Sequence, residues 1–128
     1  MAVRNRNELN FPTLTDLEYD TKKNFDYRRV YWTAPDGRMQ VVLMFLAAGV
    51  EIGMETHPVN QFFRIETGHV MVAGAANFRE EVTDGGSIMI PSSMPHNVTA
   101  VEDTYMYTIY APANHPPGLI QHTKPQFD

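Results

Sequence analysis

The sequence predicts a single domain of the all-β class, built as a double-sheet jelly roll or a small barrel. Three observations support this class. Short runs rich in β-branched and aromatic residues alternate with Gly, Pro, Asn and Asp along the chain. After residue 25, no window of ten or more residues shows the 3.6-residue period of an amphipathic helix. The 128 residues correspond to one domain, long enough to bury a core without disulfides or a structural metal.

The expected elements follow in chain order. Residues 1–24 are polar and irregular, which predicts an N-terminal arm or a loosely attached strand. Residues 25–111 are expected to form the barrel. Residues 112–128 contain Pro116 and Pro117, so we expect this tail to pack on the barrel or on a partner subunit rather than to form a central strand. The predicted strands are 28–33, 39–47, 50–54, 62–66, 70–73, 78–82, 87–90 and 104–111.

The strand predicted over residues 39–47 is apolar on both faces. It follows a turn over residues 34–37, where Pro35 and Gly37 suit the dihedral angles of a tight reversal. Its two faces carry Met39, Val41, Leu43 and Phe45 on one side and Val42, Met44 and Leu46 on the other. Because the barrel core can cover only one face, the pattern predicts that a second subunit covers the other, and hence a homodimer.

Composition excludes several classes of function. The net charge of -5 comes without a basic stripe, which argues against a general nucleic-acid binder. The absence of cysteine excludes a thiolate zinc site, a disulfide framework and a catalytic thiol. The amino terminus lacks the apolar run of a secretory signal, and the longest apolar stretch, residues 41–50, is too short to cross a bilayer. We therefore expect a cytoplasmic protein that contacts neither nucleic acid nor membrane.

The strongest functional signal is a set of metal-ligating residue types in two separated segments. In an extended strand, residues i and i+2 point to the same face, so Glu55 and His57 can reach one ion from a single segment. His96 would join them from elsewhere in the fold. Two imidazoles and one carboxylate form the facial triad that holds a divalent ion and leaves positions open for a substrate. Gln61 would supply a fourth, neutral oxygen or would hydrogen-bond His57 instead.

Two motifs resemble those of the cupin superfamily. Residues 49–57 and 61–68 are similar to the first cupin motif, which in outline is Gly, His-x-His, an acidic residue and Gly. Residues 85–91 with Ser93 and His96 resemble the second motif, Gly-x5-Pro-x-Gly-x2-His. The likeness covers roughly residues 25–123 and implies the double-stranded β-helix of the cupin fold. The run 110–118 further resembles the small single-domain cupins of a mannose-6-phosphate isomerase-like subgroup.

The resemblance carries the metal ligands of the family onto this chain with two exchanges. Glu55 stands where the family has the first histidine of His-x-His, and Gln61 stands where it usually has a glutamate. His57 and His96 match directly. One carboxylate and two imidazoles are retained in total, so the implied cofactor is one divalent ion, which could be Fe, Mn, Zn or Ni.

Further residues near the motifs are candidates for other roles. Glu66 is a rival carboxylate, but if Gln61 and Phe63 face the barrel interior, Glu66 faces outward unless a bulge intervenes. Residues 66–68 are then best interpreted as a turn. Phe63 and Tyr107 are candidate walls of a substrate pocket. Three more histidines are expected at the surface, the last two beside the tail where they could cover a pocket mouth: His69, His115 and His122.

The predicted function is that of a metal-dependent enzyme acting on a small oxygenated substrate, either sugar-like or bearing an enediol or carbonyl group, in an isomerase-like reaction. Glu55 would be catalytic as a proton acceptor. Two alternatives stay open. One is a non-haem-iron dioxygenase, and the other is a non-catalytic barrel that binds a small ligand or serves as a scaffold.

Overall fold

The computed structural model describes residues 13–125, which contain one short helix and nine strands. The helix α1 spans Leu14–Lys22. The strands are β1 Arg28–Thr33, β2 Gln40–Leu46, β3 Asn60–Thr67, β4 His69–Gly74, β5 Arg79–Thr83, β6 Ser87–Ile90, β7 His96–Ala100, β8 Thr104–Ala111 and β9 Ile120–Gln121. The prediction of an all-β domain is confirmed.

The strands form two sheets around one main core. The larger sheet has six strands in the order β6-β3-β8-β2-β1-β9, and the smaller has three in the order β5-β4-β7. Every pairing described between these strands is antiparallel. Phe63 and Ile65 enter the core from the larger sheet, and Val70 and Val72 enter it from the smaller one; each is at most 1% exposed. Side chains that alternate along each strand therefore fill the space between the sheets.

Strand β2 is buried on both faces, as its sequence predicts. Val42, Met44 and Leu46 pack in the main core. Val41 and Leu43 point the other way and pack in a second cluster. The second cluster lies on the outer face of the larger sheet, and its buried members are Tyr31, Val41, Leu43 and Tyr107, with Leu17 of α1 packed against them. Part of the outer cover thus comes from the helix of the same chain.

The helix α1 is a correction to the predicted irregular segment. Thr13 caps it by accepting a hydrogen bond from the backbone N–H of Asp16 at 3.1 Å. The Tyr31 hydroxyl donates to the carboxylate of Asp20 at 2.6 Å and ties the helix to β1. Such a short, polar helix gives little 3.6-residue signal, and tertiary contacts stabilise it. Within residues 13–125, no helix is long and apolar enough to cross a membrane.

One strand prediction is wrong, and two strands lie where the sequence predicts none. The strand predicted over residues 50–54 is replaced by two isolated bridges, Glu51 to Thr99 and Glu55 to His96. Gly53 lies between them with φ of +103°, which interrupts an extended ladder. Strand β7 lies in a segment where the sequence predicts no strand, because it follows a turn-rich stretch and is only five residues long. Strand β9 lies in the tail, where it pairs with β1 at the edge of the larger sheet.

Glu66 lies within β3 and not in a turn. The pairing of β3 with β8 shifts register between Ile65 and Thr67, which marks a bulge. Glu66 is 8% exposed, and its Oε1 lies 3.0 Å from Nε of Arg64. The carboxylate of Glu66 is therefore paired with a guanidinium away from the candidate metal ligands.

Candidate metal centre

The backbone brings the two ligand segments together directly. The N–H of Glu55 donates to the carbonyl of His96 at 2.8 Å, and the N–H of His96 donates to the carbonyl of Glu55 at 2.9 Å. This bridge joins the loop before β3 to the first residue of β7. His96 lies 41 positions after Glu55 in the chain, and this bridge explains how it reaches Glu55 and His57.

The side chains of Glu55, His57 and His96 converge on one point. One ligand atom from each lies within 4.8 Å of the other two, and they form the only cluster of three or more His, Cys, Asp or Glu ligands found in residues 13–125. Nε2 of His57 lies 3.8 Å from Oε1 of Glu55. The side chain of Glu55 is 18% exposed and that of His57 is 14% exposed, while His96 is buried. The site is thus nearly closed to solvent.

Three polar atoms at this point are buried without a hydrogen-bond partner among the described residues. They are Nε2 of His57, Nε2 of His96 and Oε1 of Gln61. Burying a polar atom unsatisfied costs about 1–3 kcal/mol, and such atoms are rare in folded proteins. Two imidazole nitrogens, an amide oxygen and a neighbouring carboxylate are suitable donors for a divalent transition metal. These residues therefore fit the metal that the sequence motifs imply.

The second ring nitrogen of His96 is held by the backbone. Nδ1 of His96 lies 2.8 Å from the carbonyl oxygen of Met94. A carbonyl oxygen can only accept, so this contact assigns the ring proton to Nδ1 and leaves the lone pair of Nε2 directed at the cluster. The corresponding contact of His57 is with a side chain, since its Nδ1 lies 3.3 Å from Nδ2 of Asn114.

Two cavities of different size share His96 as a lining residue. The inner cavity is lined by Glu55, Gln61, Phe63, His96 and Tyr110 among other residues, and its volume of about 10 Å³ suits one ion or one water. The second is a cleft of about 390 Å³ between β6 and the turn from β4 to β5. Its walls are mostly apolar, and His96 is the titratable residue that both cavities share.

The structure separates the two candidate pocket residues. Phe63 faces the inner cavity, but Tyr107 lies on the opposite face of β8, in the outer cluster. Burial raises the pKa of Tyr107, the Arg64 guanidinium opposes this rise, and the carboxylates of Glu66 and Glu18 add to it. The placement of Tyr107 in the pocket is wrong because side chains alternate along a strand. Tyr110, three positions later, faces inward instead.

The remaining histidines lie outside the cluster. Nε2 of His69 is 3.5 Å from Oε1 of Glu81, and His122 is exposed and contacts Asp26. The ring of His115 packs against that of Tyr110 with 5.3 Å between ring centroids, so this histidine is partly buried on the barrel and does not lie on a free surface. Three residues outside both motifs also lie at the site: Asn114 contacts His57, and Tyr110 and Arg28 line the inner cavity. No sequence pattern indicates Asn114, whereas strand parity identifies Tyr110.

The chain has relatives of similar sequence. It is 39% identical over 121 residues to the uncharacterised protein YrkC of Bacillus subtilis, in an alignment covering 88% of this chain and 64% of that protein. The chain therefore spans less than two thirds of the length of YrkC. It is also 36% identical over 130 residues to an uncharacterised protein of Acanthamoeba polyphaga mimivirus, covering 97% of this chain and 78% of that protein.

Solved structures share the fold. The protein BH2720 of Bacillus halodurans superimposes with a TM-score of 0.82 at 37% identity, covering 92% of this chain and 94% of that one. Salicylate 1,2-dioxygenase of Pseudoaminobacter salicylatoxidans superimposes with a TM-score of 0.56 at 16% identity, covering 59% of this chain and 21% of that one, a likeness of fold alone. The family model of the cupin domain matches residues 42–111, which is more than half of the sequence. The chain belongs to the cupin family.

Proposed function

We propose that this cupin binds one divalent metal ion through Glu55, His57 and His96 and acts with it on a small oxygenated substrate. The observation that carries the proposal is the convergence of one ligand atom from each residue within 4.8 Å. A bound cation would satisfy the buried Nε2 atoms of both histidines, which have no hydrogen-bond partner in the described part of the chain. Iron, manganese, zinc and nickel all accept this nitrogen and oxygen donor set.

Each side chain has a separate role in this proposal. The bound ion would supply Lewis acidity that polarises a carbonyl or enediol oxygen, or redox chemistry if the ion is iron. His57 and His96 are neutral donors that hold it. Glu55 has two carboxylate oxygens, so it can also accept a proton from a substrate carbon and return it to the neighbouring carbon. Gln61 supplies a neutral oxygen to the ion or a hydrogen bond to the substrate.

The size of the cavities limits where a substrate can lie. The inner cavity of about 10 Å³ has room for the ion and not for a sugar. The adjoining cleft of about 390 Å³ has the size of a small-molecule site and reaches His96. We therefore place the oxygenated end of the substrate at the cluster and its body in the cleft. An isomerase-like reaction, with Glu55 moving a proton between two carbons, remains our first candidate.

The character of the cleft favours a second candidate, a non-haem-iron dioxygenase. Its walls include Val72, Phe78, Ile88, Met89 and Met94, which suit an apolar or aromatic body better than a polyol. The likeness of fold to salicylate 1,2-dioxygenase supports only the statement that the cupin barrel can carry such a reaction. The two candidates differ in whether oxygen is consumed.

We also propose a homodimer formed through the outer face of the larger sheet. This face carries two apolar grooves that share Ile109, and Leu14 and Leu17 of α1 form one side of the first. Trp32 and Met39 line one, and Phe62 and Met89 line the other. Met39 is 39% exposed and Met89 is 76% exposed. Apolar patches of this kind are typical of protein interfaces.

Metal content is the direct test of the proposal. The untagged protein is purified, and its bound metals are measured by mass spectrometry before and after loading with Zn²⁺, Mn²⁺, Fe²⁺ or Ni²⁺. We expect one ion per chain in the parent and less than a tenth of that in Glu55→Ala, His57→Ala and His96→Ala. His69→Ala is the matched control, because His69 also faces a glutamate but lies outside the cluster. An apo parent that takes up none of these ions overturns the proposal and favours a non-catalytic barrel.

The reaction class is tested with the loaded protein. Oxygen consumption is measured with aromatic and enediol substrates, and interconversion is followed with sugars and sugar phosphates. Turnover of either kind should disappear in Glu55→Ala and persist in His69→Ala. Turnover that survives the loss of Glu55 contradicts its catalytic role, and metal binding without turnover in both screens contradicts the enzymatic part of the proposal.

A further inference from the structure

We infer that Asn114 is a positioning residue that sets the tautomer and orientation of the His57 imidazole, and that Gln40 holds Asn114 in place. The inference rests on the proposed function in one respect, that Nε2 of His57 binds the metal. Asn114 belongs to the tail after β8, a segment without any of the metal-ligand motifs. Its link to the site exists only in the folded chain.

The ring of His57 is held on three sides. Its Nδ1 lies 3.3 Å from Nδ2 of Asn114. The ring of Tyr110 meets it edge to face, with 5.8 Å between ring centroids and an angle of 81°. The ring of His96 lies 5.4 Å away between centroids. Tyr110 and His96 restrict the tilt of the imidazole, and Asn114 contacts the nitrogen on the far side from Glu55.

The chemistry of the imidazole gives this contact its role. A neutral imidazole carries one proton, and Nε2 can bind a metal only when that proton is on Nδ1. The Nδ1–H group then needs an acceptor. The side-chain amide of Asn114 offers either an N–H donor or an oxygen acceptor at nearly the same place, depending on which way the amide is turned.

The two settings of the amide therefore correspond to two states of His57. With the N–H group of Asn114 toward the ring, the proton is on Nε2, 3.8 Å from the Glu55 carboxylate. With the oxygen toward the ring, the proton is on Nδ1 and Nε2 is available to the metal. Metal loading should accordingly turn the amide, and a residue that cannot accept at this position should weaken metal binding.

Gln40 explains why Asn114 is held at this position. The Gln40 side chain is fully buried in β2. Its Oε1 accepts from the backbone N–H groups of Asn114 at 3.1 Å and His115 at 3.0 Å. Its Nε2 donates to the carbonyl of His115 at 2.8 Å and to Oγ1 of Thr33 at 3.0 Å. The buried amide of Gln40 therefore holds the main chain at Asn114 and at His115 against the barrel wall.

A metal titration tests the inference with a matched pair of variants. Zn²⁺ is titrated calorimetrically into the apo forms of the parent, Asn114→Leu and Asn114→Asp. Asn114→Leu removes the acceptor, and we expect its affinity to fall about 10- to 100-fold. Asn114→Asp keeps an acceptor at the same distance and should bind Zn²⁺ at least as tightly as the parent. Equal affinity of the parent and Asn114→Leu overturns the inference.

The tautomer of His57 is measured independently of the metal. Two-bond ¹H–¹⁵N correlation spectra of the apo protein at about pH 8, with His57→Ala to assign the signals, report which ring nitrogen carries the proton. We expect one dominant tautomer in the parent and a mixture in Asn114→Leu. An unchanged His57 pattern in that variant overturns the inference, whether or not the parent binds Zn²⁺. A parent that shows the tautomer effect but binds no ion overturns the proposed function instead.

A second variant is available in case Asn114→Leu has a folding defect. Asn114→Ala serves as a second variant if Asn114→Leu does not fold, since it also lacks an acceptor and introduces no bulk. A tautomer mixture in Asn114→Ala supports the inference, and the parental pattern contradicts it. Gln40→Glu keeps the acceptor oxygens but loses the amide donors to His115 and Thr33; we expect it to shift His57 partly toward the mixture.

Discussion

The main chains of Glu55 and His96 are hydrogen-bonded to each other twice, at N–O distances of 2.8 and 2.9 Å. This pair of bonds positions both candidate ligands before any ion arrives, because it belongs to the backbone. The carboxylate and the imidazole then extend from adjacent points of the barrel. A site built in this way is organised by folding and does not need the metal to form.

Metal removal should therefore lower stability without unfolding the protein. At a free ion concentration of 100 times Kd, binding adds about 2.7 kcal/mol to the free energy of unfolding, which corresponds to a Tm shift on the order of 10 °C. Thermal unfolding with Zn²⁺ and with a chelator measures the shift. The His96→Ala variant should show no shift, and an equal shift in this variant would mean that Zn²⁺ stabilises the fold from another site.

Gln61 should control metal affinity through its side-chain oxygen. That oxygen is buried without a partner among residues 13–125 and lies at the wall of the inner cavity. Gln61→Glu adds a second carboxylate, and we expect Zn²⁺ affinity to rise by about tenfold or more. Gln61→Leu should lower it by a similar factor. If calorimetry finds neither change, Gln61 is not part of the metal site.

Gly68 should not tolerate a side chain. It has φ of +131°, and a Cβ there would overlap Oγ1 of Thr104 and lie 2.7 Å from the carbonyl oxygen of Asp103. We expect Gly68→Ala to cost about 3 kcal/mol or more in urea unfolding, from backbone strain and steric overlap together. Gly49→Ala is the control, because φ is +86° there and nothing lies within 4 Å; it should cost about 1 kcal/mol. Similar losses in both variants would contradict the steric argument.

Stability should fall at alkaline pH through Tyr107. Burial raises the pKa of Tyr107 above the ordinary value of 10.0, so its neutral form is favoured in the folded state. The resulting stabilisation is fully present below the pKa of the unfolded chain and is lost as pH rises through the folded pKa. The free energy of unfolding of the parent should therefore decrease more than that of Tyr107→Phe above pH 10. Parallel pH profiles for the two proteins would exclude this contribution.

The proposed dimer should depend on Ile109. Static light scattering at micromolar concentration should give twice the 14.6 kDa mass of the chain. Ile109→Lys places a charge at the residue that the two outer grooves share and should yield the monomer. Val101→Lys is the control, because Val101 is 52% exposed in the loop between β7 and β8. A monomeric parent contradicts the proposal.

Local patterns were sufficient for much of the fold. The bounds of three strands, 28–33, 87–90 and 104–111, agree with the structure residue for residue. Strands of this kind are recognisable because β-branched and aromatic runs end at turn residues. The spacing of Glu55 and His57 also indicates a shared direction, and their ligand atoms lie close together. Phe63, which the parity argument takes to face inward, lines the inner cavity. Tyr107 and Tyr110 are an odd number of residues apart in β8 and therefore lie on opposite faces of the strand.

Other features depended on contacts between distant parts of the chain. In the sequence, His57, His96 and Asn114 are three polar residues at separate positions. No local pattern relates Asn114 to His57, which lies 57 positions earlier. The Glu55–His96 backbone bridge brings the two histidines together, and the buried amide of Gln40 holds Asn114 beside them by binding the tail backbone. Helix α1 likewise depends on distant contacts, since Asp20 accepts a hydrogen bond from Tyr31 and Leu17 packs on the outer cluster. Residue types and short-range periodicity specify which groups are available, whereas the closure of the barrel specifies which of them meet, since hydrogen bonds across long loops form only once the core has folded.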